Sequence, residues 1–137
     1  MAIVTFDFDD TLTQTQWDNE QEGFIFMGPN TKICNTLREH LLLGDEVHIV
    51  TSRLGPDMNS EGDTQQHGQP SVVAFLQEHM SDVKDQISGV HFTSGALKWA
   101  TLHDLGSEKH FDDDPCELEA LPPGIHGIRV STLHGFE

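Results

Sequence analysis

The stretch Phe6-Asp7-Phe8-Asp9-Asp10-Thr11-Leu12-Thr13 decides how this sequence is interpreted. Residues 2–8 alternate and are rich in valine, isoleucine and phenylalanine, which predicts a buried β-strand that runs into acids. An aspartate-rich turn or helix cap is one interpretation, because aspartate favours both. Consecutive carboxylates at the end of a buried strand are costly without a cation, however. The stretch therefore favours a cation-binding site beside Asp7 and Asp9.

Strand-like and helix-like segments alternate along the rest of the chain. Strands are predicted at 46–50, 87–92, 110–111 and 125–130, and helices at 30–44, 70–83, 94–106 and 115–121. Residues 14–30 predict a loop or a small hairpin, and residues 54–70 a polar, glycine-rich surface loop. The pattern predicts an α/β fold, a three-layer Rossmann-like parallel sheet with helices on both faces. The 137 residues fit a single domain, 1–137.

Acids, hydroxyl groups and basic residues recur where the predicted strands end. In open α/β sheets, ligands gather beyond the carboxyl ends of the strands, near the place where the strand order reverses. The candidate site residues, in chain order, are Asp7, Asp9, Thr51, Ser52, Arg53, Lys98, Asp112 and Asp113. The register of the last pair is open by one residue, so the pair could instead be Asp113 and Asp114. Arg53 could reach a substrate phosphate or pair with a surface acid.

These residues resemble the four motifs of the haloacid dehalogenase (HAD) superfamily of phosphotransferases, in the right order. Asp7-Phe8-Asp9-Asp10-Thr11 matches the first motif, and the strand ending at Thr51 matches the second. Lys98 is the best match to the third motif, a lysine near a helix start, and Asp112-Asp113 matches the paired acids of the fourth. The first motif is specific, whereas the other three gain force from their order and spacing. The family often has glycine at the position of Asp10, although aspartate also occurs there.

The resemblance implies a Mg²⁺-dependent phosphomonoester hydrolase, in which Asp7 is the nucleophile and Asp9 the acid and base. Thr51, Ser52, Arg53 and Lys98 would bind the phosphate of the substrate. Asp7, Asp9, Asp112 and Asp113 would hold the metal, Asp9 through its backbone carbonyl. Mg²⁺ prefers hard oxygen ligands and keeps several waters, so two or three carboxylates suffice.

The substrate class follows from the space around these motifs and from the charge. The intervals 14–45 and 54–95 leave no room for the cap domain that many family members insert, and capless members often act on macromolecules or use a partner subunit as a lid. The chain also looks like the phosphatase half of phage-type polynucleotide kinases. Its 23 acidic and 7 basic residues give a net charge of −16, which argues against extended nucleic-acid binding. We expect a small phosphate ester, with a nucleotide slightly ahead of a sugar phosphate; phosphorylated nucleic-acid ends and phosphoproteins are the alternatives.

A non-catalytic, Mg²⁺-binding module is the rival interpretation. Receiver-like domains carry their phosphorylated aspartate after the third strand, where this chain has His91-Phe92-Thr93-Ser94. A HAD-like fold that only binds would not need Asp9. The spread of the histidines along the chain predicts ordinary surface or core roles for them. A homo-oligomer could supply a lid over the site.

The cysteines and the apolar runs bear on the compartment. Cys34 and Cys116 are the only cysteines, which suggests free thiols in a reducing environment. No apolar run approaches the roughly 20 residues of a membrane span, and the N-terminus lacks the pattern of a secretory signal. We expect a cytoplasmic protein, which for a phage-encoded chain would be the host cytoplasm.

Overall fold

The computed structural model describes residues 1–54, 70–131 and 135–136, and it has an α/β architecture. Its strands are β1 (Ile3–Phe6), β2 (Thr13–Asp18), β3 (Gly23–Pro29), β4 (Glu46–Thr51), β5 (Gly89–Phe92), β6 (Lys109–Asp112), β7 (His126–Ser131) and β8 (Gly135–Phe136). Its helices are α1 (Thr31–Leu42), α2 (Val72–His79), α3 (Trp99–Leu105) and α4 (Pro115–Glu119). The loop predicted at 54–70 lies almost entirely outside the described residues. None of the described helices is long and apolar enough to cross a membrane.

The main sheet has the strand order β5-β4-β1-β6-β7-β8. The first five of these strands are parallel, and β8 pairs antiparallel with β7. The chain leaves β1 toward β4 and β5, then crosses back to β6 and β7 on the other side of β1. The strand order therefore reverses between β1 and β6, where α/β sheets of this kind bind their ligands. The predicted parallel α/β sheet flanked by helices is confirmed, and its layout is compatible with a Rossmann-like fold.

One face of the sheet carries the hydrophobic core. Val4 and Phe6 on β1 and Val47 and Ile49 on β4 are fully buried there. They cluster with apolar side chains of α1 and α2, among them Ile33, Leu37, Phe75 and Leu76. Helix α1 has the apolar spacing that the sequence predicted, and Asn30 is its N-cap residue.

The opposite face is polar near its centre and is covered by α3 and α4. Thr5 on β1 alternates with the core residues and hydrogen-bonds Ser107, which follows α3 directly. A Cβ atom on Gly127 of β7 would lie 2.8 Å from Leu121 and 2.9 Å from Leu118, so α4 and the residues after it pack directly on the strand. Helices therefore cover both faces of the sheet.

Strands β2 and β3 form a separate hairpin between β1 and α1, one of the two options left open for residues 14–30. Phe26 packs on Phe75 of α2, which fixes the base of the hairpin to the core. Trp17 and Phe24 form an edge-to-face pair nearer the tip, and both are about half exposed. The hairpin is thus anchored at its base and presents aromatic rings to solvent near its tip.

Two predicted helices begin later than their sequence signals suggested. Helix α2 begins after Ser71, whose hydroxyl accepts a hydrogen bond from the Ala74 amide, so Pro70 lies outside the first turn. The helix predicted from residue 94 begins only at Trp99, with Lys98 at its N-cap. Ser94 does not cap it, because Lys98 holds the N-cap position and Ser94 lies in an earlier turn with a left-handed φ of 53°.

The close approach of α4 to β7 makes Gly127 a sensitive position. We expect Gly127→Ala to lower the free energy of unfolding by about 1–3 kcal/mol, because the added methyl group overpacks the contact with Leu118 and Leu121. Chemical denaturation measures the change. Gly23→Ala is the matched control, since the nearest atom to its Cβ lies 3.9 Å away. Equal stability of both variants would contradict the packing described for α4.

Candidate active site

The candidate site is an open cavity of about 340 Å³ at the carboxyl edge of the sheet, where the strand order reverses. It collects side chains from the ends of β1, β4 and β6 and from the starts of α3 and α4. The lining residues are Asp7, Asp9, Asp10, Ser52, Lys98, Asp112, Asp113, Asp114, Pro115 and Glu117. Six of the eight candidate residues from the sequence therefore line one cavity.

The ammonium group of Lys98 lies at the centre of this cavity wall. Its Nζ atom donates to Asp7 Oδ1 and to Asp112 Oδ2, each at 2.8 Å, and all three side chains are buried. Burial alone would lower the pKa of Lys98, but the charges of Asp7 and Asp112 outweigh it and raise that pKa. Lys98 therefore stays charged and bridges the ends of β1 and β6.

Asp113 brings a third carboxyl group to Asp7 and Asp112. One oxygen of each of these residues lies within 4.8 Å of the others. Burial, with a hydrogen bond to Asp7 and the charges of Asp7 and Asp112, raises the pKa of Asp113 to about 9. Burial also raises the pKa of Asp7 to about 6, against the charge of Lys98. Asp113 thus keeps a proton that it shares with Asp7 in a hydrogen bond, because one ammonium group cannot balance three converging carboxylates.

This charge deficit fits a bound cation. Three carboxyl groups that converge without enough positive charge are a hard-oxygen donor set of the kind that binds divalent metal ions. A metal ion in place of the shared proton would balance the third carboxylate. The cluster of Asp7, Asp112 and Asp113 could therefore hold a metal ion.

Hydrogen bonds reach both oxygens of the Asp112 carboxylate. Its Oδ2 atom accepts from Lys98 and from His110 Nε2 at 2.8 Å each, and its Oδ1 atom accepts from the Asp114 amide at 3.0 Å. Burial would raise the pKa of Asp112, but the bond from His110 and the charge of Lys98 lower it to about 2. Asp114 instead caps α4, because its carboxylate accepts from the Cys116 amide at 2.8 Å. Of the two registers left open, the structure brings Asp112 and Asp113 to Asp7.

Arg53 pairs with an acid, and that acid is Asp9. Its Nε and Nη2 atoms donate to the two Asp9 carboxylate oxygens at 2.8 and 2.7 Å, and Nη1 donates to the Pro70 carbonyl at 2.9 Å. The guanidinium also lies over the ring of Phe8, 4.9 Å from its centroid. The Asp9 side chain therefore belongs to a second charge pair, outside the group of three converging carboxylates.

The two hydroxyl residues after β4 differ in position. Ser52 lines the cavity, whereas Thr51 is buried and its Oγ1 atom accepts from the Arg53 amide at 3.3 Å. Thr51 therefore supports the turn that carries Arg53, and Ser52 supplies the hydroxyl group at the cavity wall.

The turn after β1 presents Asp7. Thr11 Oγ1 donates to Asp7 Oδ2 at 3.1 Å. Asp10 has a φ of 60°, a left-handed conformation that glycine adopts more readily. Thr13 and Thr15 hydrogen-bond the Asp10 amide and carboxylate respectively. Asp10 thus ties the base of the hairpin to the cavity wall.

Sequence reasoning missed two residues that support the site. His110 was expected in an ordinary role, yet it is fully buried and bonds Asp112; it lies two residues earlier in a strand, and that spacing alone places both on one face. Glu117 is buried in the first turn of α4 and accepts from the Lys98 amide at 2.9 Å. No signal in the sequence links Glu117 to Lys98.

Comparisons of this chain with protein-family models, with known proteins and with solved structures find no match.

The raised pKa of Asp113 predicts that stability depends on pH, and the converging carboxyl groups predict that it depends on metal. Asp113 is protonated in the folded chain and ionised in the unfolded chain between pH of about 4 and 9, so folding takes up a proton and stability falls as pH rises. We expect the melting temperature in EDTA to be lower at pH 8 than at pH 5, and Mg²⁺ to raise it most at pH 8.

Asp113→Asn should reduce both the pH dependence and the Mg²⁺ effect, because it removes the group that takes up the proton. Asp104→Asn, at an exposed position on α3, controls for the loss of one general negative charge. A pH profile of Asp113→Asn that matches the wild type would contradict the shared proton.

Proposed function

We propose that this protein is a Mg²⁺-dependent phosphomonoester hydrolase of the HAD type, without a cap domain, that works through an aspartyl-phosphate on Asp7. The observation that carries the proposal is the bridge from Lys98 to Asp7 and Asp112 beside the third carboxyl group, Asp113. A carboxylate can attack an anionic phosphoryl group only where positive charge screens both. The order of the four motifs along the chain supports the same reaction.

Asp7, Asp112 and Asp113 would hold the Mg²⁺, and the family resemblance adds the backbone carbonyl of Asp9. When bound, the metal ion supplies positive charge that screens the phosphoryl group and lets the Asp7 carboxylate approach it. Lys98 adds a second positive charge within hydrogen-bond distance of the nucleophile. Ser52 at the cavity wall offers a hydroxyl group to a phosphoryl oxygen.

The chemistry takes two displacements at phosphorus. A carboxylate oxygen of Asp7 bonds to phosphorus while the bond to the ester oxygen breaks, and Asp9 gives that oxygen a proton. Asp9 then takes a proton from water as the water oxygen attacks phosphorus, which breaks the bond to Asp7 and releases phosphate. Both Asp9 oxygens accept from Arg53, so transfer through Asp9 requires one of these two bonds to open.

The substrate that we propose is a small phosphate ester, with a nucleotide ahead of a sugar phosphate. The net charge of −16 and the acidic cavity lining disfavour a long nucleic-acid footprint. Phosphorylated nucleic-acid ends and phosphoproteins are the alternatives, as for capless members of the family, and a second copy of the chain could serve as the lid. We place the activity in the cytoplasm.

A panel of phosphate esters tests the activity directly. We expect hydrolysis that needs Mg²⁺ and stops in EDTA, and a loss of roughly 10³-fold or more in Asp7→Asn, because the nucleophile is gone. Acid quench during turnover followed by mass spectrometry should find the phosphoryl group on Asp7. The panel should compare nucleoside monophosphates, sugar phosphates and oligonucleotides with a 3′- or 5′-phosphate.

Asp104→Asn serves as the control, because its exposed side chain lies outside the cavity. Full activity in Asp7→Asn would overturn the mechanism. Activity confined to oligonucleotide ends would overturn the preference for a small substrate.

The bond between Arg53 and Asp9 makes a separate prediction. Arg53→Lys keeps the charge but loses the two-pronged contact, so we expect kcat to fall by about 10²-fold with little change in KM, because Asp9 is misplaced. Arg38→Lys is the matched control, since Arg38 makes the same two-pronged contact with Asp82 on the surface. A rise in KM with unchanged kcat would instead assign Arg53 to the substrate phosphate.

A further inference from the structure

His110 is a fully buried polar side chain next to the candidate site. It lies on β6 with no exposed surface, and it links two strands of the polar sheet face. Its Nε2 atom lies 2.8 Å from Asp112 Oδ2, and its Nδ1 atom lies 2.8 Å from Thr5 Oγ1 on β1. Thr5 Oγ1 lies 2.9 Å from Ser107 Oγ, so the contacts form a continuous buried chain.

The Asp112 carboxylate fixes one end of this chain of hydrogen bonds. Asp112 is ionised and can only accept, so His110 donates from Nε2. The other ring nitrogen, Nδ1, contacts the Thr5 hydroxyl group, which in turn contacts the Ser107 hydroxyl group. Both hydroxyl groups also reach the Lys109 carbonyl oxygen, at 3.3 and 3.2 Å. Every polar atom of the chain then has a partner, which is the condition under which a buried polar network holds a single arrangement.

These hydrogen bonds connect both ends of α3 to a single oxygen of the Asp112 carboxylate. At the start of the helix, Lys98 donates to Asp112 Oδ2. After its end, Ser107 reaches the same oxygen through Thr5 and His110. This double attachment fixes the rotation of the Asp112 carboxylate about its own axis.

The arrangement leaves one Asp112 oxygen with room for a further contact. Oδ2 accepts two hydrogen bonds, which fills the two acceptor positions of a carboxylate oxygen. From the described residues Oδ1 accepts one, from the Asp114 amide, which leaves it a second acceptor position. A carboxylate that binds a metal through one oxygen needs that oxygen to have a free acceptor position, while hydrogen bonds to the other oxygen fix its orientation.

We propose that His110 is a positioning residue for the metal site: it holds Asp112 Oδ2 against Lys98, so that Oδ1 remains for the cation. His110 touches neither the substrate nor the cation in this arrangement. Its effect on turnover rests on the phosphatase activity proposed above, whereas its effect on metal binding does not need that activity.

The full-length chain with Mn²⁺ as the probe tests the proposal, with free Mn²⁺ measured by electron paramagnetic resonance. We expect His110→Leu to weaken Mn²⁺ binding by about 10–100-fold, because Asp112 loses one of the three donors that orient it. His110→Gln should recover most of the affinity, since its amide nitrogen can donate in place of Nε2. Wild-type Mn²⁺ affinity in a folded His110→Leu variant would overturn the proposal, as would a His110→Gln variant no better than His110→Leu.

Thr5→Val decides the matter if His110→Leu does not fold. Valine has nearly the shape of threonine but cannot form the hydrogen bond with His110 Nδ1, so we expect a loss of roughly 5-fold in Mn²⁺ affinity, the equivalent of one neutral hydrogen bond. Thermal unfolding in EDTA separates a general loss of stability from this effect. An unchanged affinity in Thr5→Val would then overturn the proposal.

The outcomes also separate this inference from the proposed function. Mn²⁺ binding that depends on His110, in a chain that hydrolyses none of the phosphate esters, supports the positioning role and overturns the phosphatase. Metal-dependent hydrolysis that is unchanged in a folded His110→Leu variant keeps the phosphatase and overturns the positioning role. A wild-type chain that binds no Mn²⁺ overturns both.

Discussion

The contact of Lys98 with Asp7 and Asp112 is the interaction on which the rest of the site depends. Adjacent parallel strands bring the carboxyl-terminal ends of β1 and β6 side by side, so the acids that follow them cannot avoid one another. Burying such a pair would be prohibitive without a cation of opposite charge in direct contact. The bridge also accounts for Lys98 at the N-cap of α3, since its ammonium group reaches the sheet while its backbone amide bonds Glu117. The same bridge leaves Asp113 unbalanced, and that imbalance makes the cavity a candidate cation site.

One face of the sheet stabilises the fold, and the other face positions the side chains of the site. The face toward α1 and α2 buries valine, isoleucine and phenylalanine side chains, and the apolar surface removed from water there stabilises the fold. The face toward α3 and α4 gives up part of that gain, because Thr5 and His110 occupy central positions that apolar residues could fill. What the polar residues provide is direction, since hydrogen bonds orient a carboxylate and apolar contacts do not. The polar centre of this face is therefore best explained by the carboxylates at its edge.

The sequence predicted the features that depend on local periodicity and the order of elements. The alternation of apolar residues predicted β1 and β4, and apolar residues at four-residue spacing predicted α1. The order of the elements predicted that Asp7 and Asp112, at strand ends, and Lys98, near a helix start, lie at one edge of the sheet. It could not predict the partners of Arg53, which lies 44 residues from Asp9, because that pairing depends on how the turn after β4 folds over the first motif. The contact between Glu117 and Lys98 is hidden for the same reason. His110 is different, because its two-residue spacing from Asp112 was visible, but nothing in the sequence showed that the position is fully buried.

The charge of the cavity constrains the order in which its ligands can bind. Without a cation, Asp7, Asp112 and Lys98 sum to one negative charge, and Asp113 avoids a second only by keeping its proton. An anionic phosphate ester would meet repulsion there, in a chain whose net charge is already −16. A divalent cation that displaces the proton brings the three carboxylates, the ammonium group and the cation to a total of zero. In the mechanism proposed here the cation therefore has to arrive before the substrate or together with it. The pairing of Arg53 with Asp9 contributes no further net charge, and Asp10, Asp114 and Glu117 add only acidic side chains to the cavity lining. A bound cation would therefore offset the repulsion that a phosphate meets there.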